Sequence, residues 1–582
     1  MTAEVEMLEQ QIAQLPVGYI SKKNIHNKTR YYRQWTENGK IKSQYIKEGD
    51  LETVQEQIAR RKELQQRLKE LNGENSGGKK QRAAKGTSSF SEDGFATNVL
   101  IGEGLLAMTE NICAIEKRSE YEKLKAYLDG EGNDRVCLVM GLRRTGKTTM
   151  IRQAMLELLS EKKKVAYIKV TAADSIPVLS RDLKRLYQLG YPYVFIDEVT
   201  LMGDFIDSAA LLSDIHAAQG MRLVLTGTDS LAFYFAMRQE LYDRAVVLHT
   251  TFIPFREHSR VLGIDSINDY IRYGGTMRAG DLEAEYTGVN PKYASFRNED
   301  STKEYVDSAI LRNIGRSLAC SKDKNQFGNL RFLREEGDLE ELVNRTIENM
   351  NLNFLLVVLS KNSVFHDLRL AVWNLRNDHR REEQESGVKK VYISEIKEVL
   401  TAMDLIVECP AETAQSGGEA IERVIFTQPG MRYCQIEALI HELLAGERFT
   451  SLSEMEKGAL ADLALEEVRG RMLEEIVFLE TEKALGSDYK VYKLQFQAED
   501  FDMVVYDMIS NSCIVCELRG SGKSGPGMYR RLPDAERRRQ IERRFGTIKE
   551  HYILGRELES RRENGRLYCR VEDYLKSLSS FQ

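Results

Sequence analysis

Residues 140–150 read MGLRRTGKTTM, and no other stretch limits the possible folds of this chain as tightly. They fit the pattern G-x-x-x-x-G-K-[ST] from Gly141 through Gly146 and Lys147 to Thr148, with Thr149 following. The apolar run VCLVM at 136–140 comes just before, and a helical pattern at 150–159 just after. Strand, glycine loop and helix in that order are the setting in which this spacing makes a phosphate site instead of a chance turn. Glycine lets the loop curl until its N–H groups converge on an anion, and the dipole of the following helix adds to the same field. Lys147 supplies a point charge for β- and γ-phosphates, and Thr148 carries a hydroxyl suited to Mg²⁺. The expected cofactors are therefore ATP and Mg²⁺. The loop's binding set is Gly141, Leu142, Arg143, Arg144, Thr145, Gly146, Lys147, Thr148 and Thr149, with Arg143 and Arg144 facing either phosphate or solvent.

Such a loop needs acidic partners on a neighbouring strand, and the sequence supplies them. Residues 193–198, YVFIDE, form an apolar run ending in two carboxylates, with Asp197 fifty positions beyond Lys147. Asp197 at a strand end is placed to hold Mg²⁺ opposite Thr148, and Glu198 to polarise an attacking water. Consecutive strand-end residues point in different directions, so the pair can divide those two tasks. The plain alternative is an acidic pair at a sheet edge. Residues 165–170 give another strand. Residues 222–229, RLVLTGTD, give a buried strand ending in small polar residues, which makes Thr226 or Thr228 the candidate γ-phosphate sensor. Arg244, just before the strand at 245–248, is the candidate donor to transition-state charge, in cis or to a neighbouring subunit. Its alternative role is a surface cap on a helix.

At 582 residues the chain has room for three or four domains. Its net charge of −6 gives no whole-chain signal for nucleic acid, so any such signal must be local. The longest apolar run, FLLVVL at 354–359, is far short of the about 20 residues that cross a bilayer. The opening MTAEVEMLEQ lacks a signal-peptide core, and eight cysteines in a chain this long make no disulfide framework. Cys513 and Cys516 form one C-x-x-C with no second pair for zinc. No membrane partner and a cytoplasmic location are expected.

Residues 16–50 carry eight Lys and Arg against Glu37 in the strand-like part, interleaved with Tyr19, Tyr31, Tyr32, Trp35 and Tyr45. Turn signals at Asn27-Lys28 and Asn38-Gly39 divide them into a three-stranded antiparallel sheet. Such a sheet either lies along a DNA backbone or is a tyrosine mini-core with a solvated cationic face. It resembles the small β-sheet arms ahead of bacterial recombinase-like and ATPase chains. Residues 50–71 follow as an exposed helix, and 73–92 as a Gly/Ser/Lys-rich linker.

The succession GLRRTGKTT, YVFIDEV, LVLTGTDS, YDRAVVLHTTFIPFREH and YIRYGGTMR resembles a bacterial and archaeal family of AAA-type ATPases. In that family a winged-helix segment and a restriction-endonuclease-like C-terminal domain follow the ATPase domain. The resemblance implies an α/β P-loop NTPase of the additional-strand, catalytic-glutamate type, with its acidic strand not adjacent to the phosphate-loop strand. It makes Gly274-Gly275 a lid-region pair, while residues 281–330 depart from the family as an insertion or extended helical region. Residues 391–409 and 423–430 give helix, strand and return strand, fitting a winged helix with a packing role rather than DNA binding. From 470 the order helix, strand, strand, strand, helix resembles the PD-(D/E)xK nuclease core, in which two carboxylates hold Mg²⁺ and a lysine activates water. Glu474, Asp502 and Glu517 match the acidic positions of that second metal site. Arg519 stands where lysine is expected and cannot give up a proton, so a binding role is favoured over cleavage, although Lys523 could reach in.

The expected domains are thus 1–49 (small β-sheet module), 50–94 (helix and linker), 95–280 (ATPase), 281–465 (helical region with winged helix) and 466–582 (nuclease-like). The expected function is Mg²⁺-dependent ATP hydrolysis, with Lys147, Glu198 and Arg244 catalytic, coupled to modules that bind nucleic acid or a partner. The alternatives are a nucleotide-gated switch with little turnover and an ATP-coupled DNA nuclease. Nucleotide, DNA and further copies of the chain are the candidate partners.

Overall fold

All five residues of the run VCLVM are buried in the strand Val136–Met140 (β5) of the computed structural model. A strand apolar on both sides needs cover on both sides, as in a parallel sheet between helices. Alternate residues divide accordingly. Val136, Leu138 and Met140 enter one hydrophobic cluster, whereas Cys137 and Val139 enter another.

The structure describes residues 19–25, 28–37 and 40–46, helical positions between 53 and 61, and residues 94–578 apart from 110–111, 113–114, 131–133, 251, 277–293, 324–325, 386–389, 410, 414–422, 496–501 and 519–533. The chain divides into two units, Met1–Ser88 and Ser89–Gln582. In the first, Tyr19–Ile25 (β1), Lys28–Glu37 (β2) and Lys40–Ile46 (β3) pair antiparallel in that order. The side chains read above as a DNA-contacting face, and the linker at 73–92, lie outside the described residues.

In the second unit a six-stranded sheet runs β4-β6-β7-β8-β5-β9. Its other members are Asn98–Leu100 (β4), Val165–Lys169 (β6), Tyr193–Asp197 (β7), Arg222–Gly227 (β8) and Ala245–His249 (β9). Five strands are parallel, and β4 is an antiparallel edge on β6. This is a P-loop NTPase-like core, with β8 inserted between the phosphate-loop strand β5 and the acidic strand β7. The helix Lys147–Ser160 covers one face with Tyr121 and Leu124. Ile176–Gln188 and Ser230–Arg238 cover the other. Loops that leave the carboxyl ends of neighbouring parallel strands meet in one crevice, and here those are the loops after β5, β8 and β7.

Within this unit, buried residues on both sides of positions 280 and 465 share hydrophobic clusters. One cluster joins the sheet residues to Phe296, Tyr305, Leu330, Ile347, Leu405 and Met431. Another joins Phe252 and Ile271 to Leu355, Val468 and Leu575. Helix Lys390–Ala402 leads into an antiparallel pair, Ile406–Cys409 (β10) and Arg423–Phe426 (β12), and Leu405, Ile406 and Phe426 are buried in the first of these clusters. A second, mixed sheet runs β11-β13-β14-β15-β16-β18-β17. Its members are Ala411–Thr413 (β11), Tyr489–Gln495 (β13), Asp502–Asp507 (β14), Ser512–Leu518 (β15), Thr547–Gly555 (β16), Arg561–Glu563 (β17) and Arg566–Arg570 (β18). The 31-residue helix Glu454–Ala484 precedes it, opened by a capping box between Ser453 and Glu456. Among the described residues no helix is long and apolar enough to cross a membrane.

Candidate active site

β5 ends at Met140, and the chain turns through 141–146 into the helix Lys147–Ser160. Two glycines are required by geometry. A Cβ on Gly141 would lie 2.7 Å from the Thr250 carbonyl oxygen. Gly146, at the helix N-cap, takes φ 84°, where an L side chain is strained. Thr145 ties the loop internally, its hydroxyl donating to the Leu142 carbonyl at 2.9 Å.

Lys147 is buried beneath this loop. Its Nζ donates to the carbonyls of Gly141 at 2.8 Å and Leu142 at 2.7 Å. Burial pushes its pKa down to about 8, while the charges of Glu198 and Asp197 oppose that shift. Thr148 and Thr149, half-buried, open the helix beside it.

Asp197 closes β7 and is 2% exposed. The Thr226 hydroxyl donates to its Oδ1. The Tyr167 hydroxyl and Lys169 Nζ both donate to Oδ2, each at 2.9 Å. Burial pushes this carboxyl up, but the donors from Thr226 and Lys169 outweigh it and hold it below the ordinary range. Glu198 follows in the left-handed region at φ 63°, a conformation that costs a non-glycine residue about 1–2 kcal/mol. Its Oε2 accepts from the Thr228 hydroxyl at 3.1 Å. The two threonines near the end of β8 thus each hold one acid. Thr226 is fully buried with its hydroxyl on Asp197, so of the two sensor candidates Thr228 is the one beside Glu198.

Residues without a recognisable spacing complete the floor. Arg118, buried, donates from Nη1 to the Thr145 carbonyl at 2.5 Å and from Nη2 to the Phe252 carbonyl at 3.0 Å. Its Nε meets Glu257 at 2.6 Å. Burial pushes the Glu257 carboxyl up, but Arg118 and Ser119 overcome this and hold it at about 2. Arg143 and Arg144 are exposed, and each reaches a serine. Arg143 Nη1 donates to Ser308 Oγ at 3.3 Å, and Arg144 Nη1 to Ser295 Oγ at 3.1 Å.

Arg244 is not with this group. Its carbonyl accepts from Val136 N at the amino end of β5, whereas the phosphate loop leaves the carboxyl end. Its Nε pairs with Asp214 at 2.7 Å. Arg244 thus lies a five-residue strand away from the phosphate loop.

Of the second proposed metal site, Glu474 and Glu517 have described side chains. Glu474 is buried, but the groups around its carboxylate are cations: Arg471 in contact, Lys493 at 3.4 Å and Lys361 at 4.0 Å. Glu517 faces His551 at 3.6 Å. Asp502 is paired in register with Glu517, but its side chain lies outside the described residues, as do Arg519 and Lys523. Among the described residues no three His, Cys, Asp or Glu side chains are grouped to hold a metal. Cys513 and Cys516 are buried strand thiols, which burial pushes up to about 11 and about 12.

Residues 133–259 match the family model described as AAA domain, and residues 2–56 match a domain of unknown function, DUF6788. No curated protein sequence matches. Among solved structures the chain is similar to C. elegans PCH-2 at 15% identity, covering 27% of this chain and 45% of that one, with a TM-score of 0.17. It is similar to AMPPCP-bound DnaA from Aquifex aeolicus at 12% identity, covering 54% and 90%, with a TM-score of 0.20. It is similar to the S. cerevisiae Hsp104–ADP complex at 14% identity, covering 64% and 56%, with a TM-score of 0.22. The chain spans about half the length of PCH-2 and of Hsp104, and TM-scores this low give the likenesses no weight for mechanism. The AAA match covers the stretch that carries the phosphate loop, both acids and the β8 threonines.

Proposed function

We propose that this protein binds ATP with Mg²⁺ and hydrolyses it. One observation carries the reading: the loop that leads from β5 into Lys147 and the end of β7 that bears Asp197 and Glu198 leave the same edge of the sheet on either side of β8, whose Thr226 bonds Asp197 and whose following Thr228 bonds Glu198. The loop amides and Lys147 hold the phosphates, with Lys147 exchanging its two carbonyl partners for phosphate oxygens. Thr148 and Asp197 offer hydroxyl and carboxylate oxygens, the hard donors that suit Mg²⁺. When bound, Mg²⁺ neutralises charge on the β- and γ-phosphates. Glu198 accepts the proton of the attacking water, and Thr228 holds its carboxylate in position. Arg244, too far for its own loop, is assigned to the γ-phosphate of a neighbouring copy. Coupling to DNA rests on the basic sequence of residues 16–50, and ATPase rates with and without DNA test it.

Glu198→Gln keeps the side chain's shape and removes its basicity. Nucleotide binding should persist, while turnover falls by about a hundredfold or more. Unchanged turnover would remove Glu198 from the mechanism. A nucleotide switch with little turnover is the second reading, favoured by the resting bonds of Lys147 to its own loop. It requires wild-type hydrolysis to be negligible under conditions in which binding is saturated.

A further inference from the structure

Asp197 carries more partners than its role as a metal carboxylate requires. Thr226 takes Oδ1, and Tyr167 and Lys169 together take Oδ2. Two of these donors are neutral hydroxyls, but Lys169 is a full positive charge 2.9 Å from the oxygen. The sheet produces this pairing directly. Lys169 ends β6 and lies in register with Asp197 at the end of β7, and Tyr167 is two residues back on the same side of the strand. The lysine side chain is 46% exposed while that of Asp197 is 3% exposed. The carboxylate is therefore fixed, and the cation on its four-carbon stem is free to leave.

We infer that Lys169 is a resident cation which competes with Mg²⁺ for Asp197 and sets the Mg²⁺ concentration at which the site loads nucleotide. The inference rests on the ATP-binding reading above and adds a regulator that is not itself a catalytic residue. The sign follows from charge alone. If Lys169 swings away as Mg²⁺ arrives, its bond to Asp197 must be given up. If it stays, two cations face one carboxylate. Either way Mg²⁺ binds more weakly than to an Asp197 held only by hydroxyls. A purely orienting role predicts the reverse, because removing the lysine would then loosen the carboxylate and weaken Mg²⁺.

The test is a Mg²⁺ titration of fluorescent ADP binding to the full chain, with Mn²⁺ binding followed in parallel by electron paramagnetic resonance. Lys169→Met should lower the Mg²⁺ midpoint by roughly three- to tenfold, the range for losing a partly exposed charge-assisted bond. Lys169→Arg, which keeps the charge, should remain near wild type. Tyr167→Phe, which removes a neutral donor, should shift the midpoint less than Lys169→Met does. If Lys169→Met misfolds, Lys169→Gln gives the same reading at this half-exposed position. An unchanged or raised midpoint in the neutral variant, while the wild type shows Mg²⁺-dependent binding, overturns the inference. No Mg²⁺-dependent binding in the wild type itself overturns the ATP-binding reading instead.

Discussion

At the scale of single residues, one guanidinium supports the nucleotide loop from below. Arg118 bonds Thr145, Phe252 and Glu257, joining the loop to the segment after β9. Glu257 is 1% exposed, so removing its partner leaves a buried charge uncompensated. Arg118→Met should cost about 3–5 kcal/mol in urea unfolding, and adding Glu257→Gln should recover part of that loss. Simple additivity of the two changes would mean the pair is not coupled. The loop before Lys147 and the strand ending at Asp197 were legible in the sequence, because a fixed glycine–lysine spacing and apolar five-residue runs mark them. Arg118 was not. Its carboxylate partner lies 139 positions away, and a lone arginine ahead of an amphipathic helix has no spacing to read. Lys169 was hidden for a related reason, since only strand register brings it beside Asp197.

At the scale of elements, the helical rod from Glu299 to Cys320 touches both halves of the nucleotide crevice. Near one end the Tyr305 hydroxyl donates to the Arg143 carbonyl at 3.1 Å, and Ser308 accepts from Arg143. Further along, Asn313 Nδ2 donates to the Thr228 carbonyl at 3.1 Å, and Ser317 Oγ to Asp229 at 2.8 Å. Between these contacts, Asp307–Leu311 is wound as a π-helix, a wider turn often found at functional sites. Nucleotide that draws Arg143 or Thr228 inward must break or reshape these bonds. Hydrogen exchange should therefore change across 299–320 on adding Mg·ATP, with the long helix Leu339–Leu359 far less affected. Equal change in both, or none in the rod, would reject the link. The sequence reads 281–330 as an insertion or extended helical region. It could mark those residues as helical, but not what they touch, because their partners sit in loops 85 to 165 positions earlier. The strands β5 to β9 were readable as runs, since an apolar five-residue stretch between turn signals leaves few other structures. In the C-terminal sheet the strand sequence was readable too, but the cations around Glu474 come from β13, from its own helix and from Lys361, and no motif predicts that gathering.

At the scale of the whole molecule, the helix Glu454–Ala484 reaches back through one acid to the segment that matches the AAA domain. Glu480, 1% exposed, accepts from the Phe255 N–H at 2.6 Å, and burial pushes its carboxyl up to about 7 from an ordinary value near 4.5. Below pH about 4.5 folded and unfolded chains both hold this proton. Between about 4.5 and about 7 only the unfolded chain releases it, so stability falls across that window and the loss is complete above it. Glu480→Gln keeps the acceptor for Phe255. It should match wild type at pH 4.5 and exceed it by about 1–3 kcal/mol at pH 8 in urea unfolding. Parallel pH profiles for the two proteins would refute this. Arg244 belongs at this scale as well. If it serves a neighbouring copy, mixing Arg244→Ala with Lys147→Ala chains should restore part of the turnover that each lacks alone. Full activity of Arg244→Ala would end that role.

The threonines at the end of β8 tether Asp197 and Glu198 from a single backbone. Gly227 sits between them, and a methyl there would meet Thr200 Oγ at 2.7 Å and the Phe233 ring at 3.0 Å. The strand's tip is thus a yoke wedged in a slot with no slack. Both carboxylates are harnessed to one bar, so a mutation that nudges β8 should disturb Asp197 and Glu198 together.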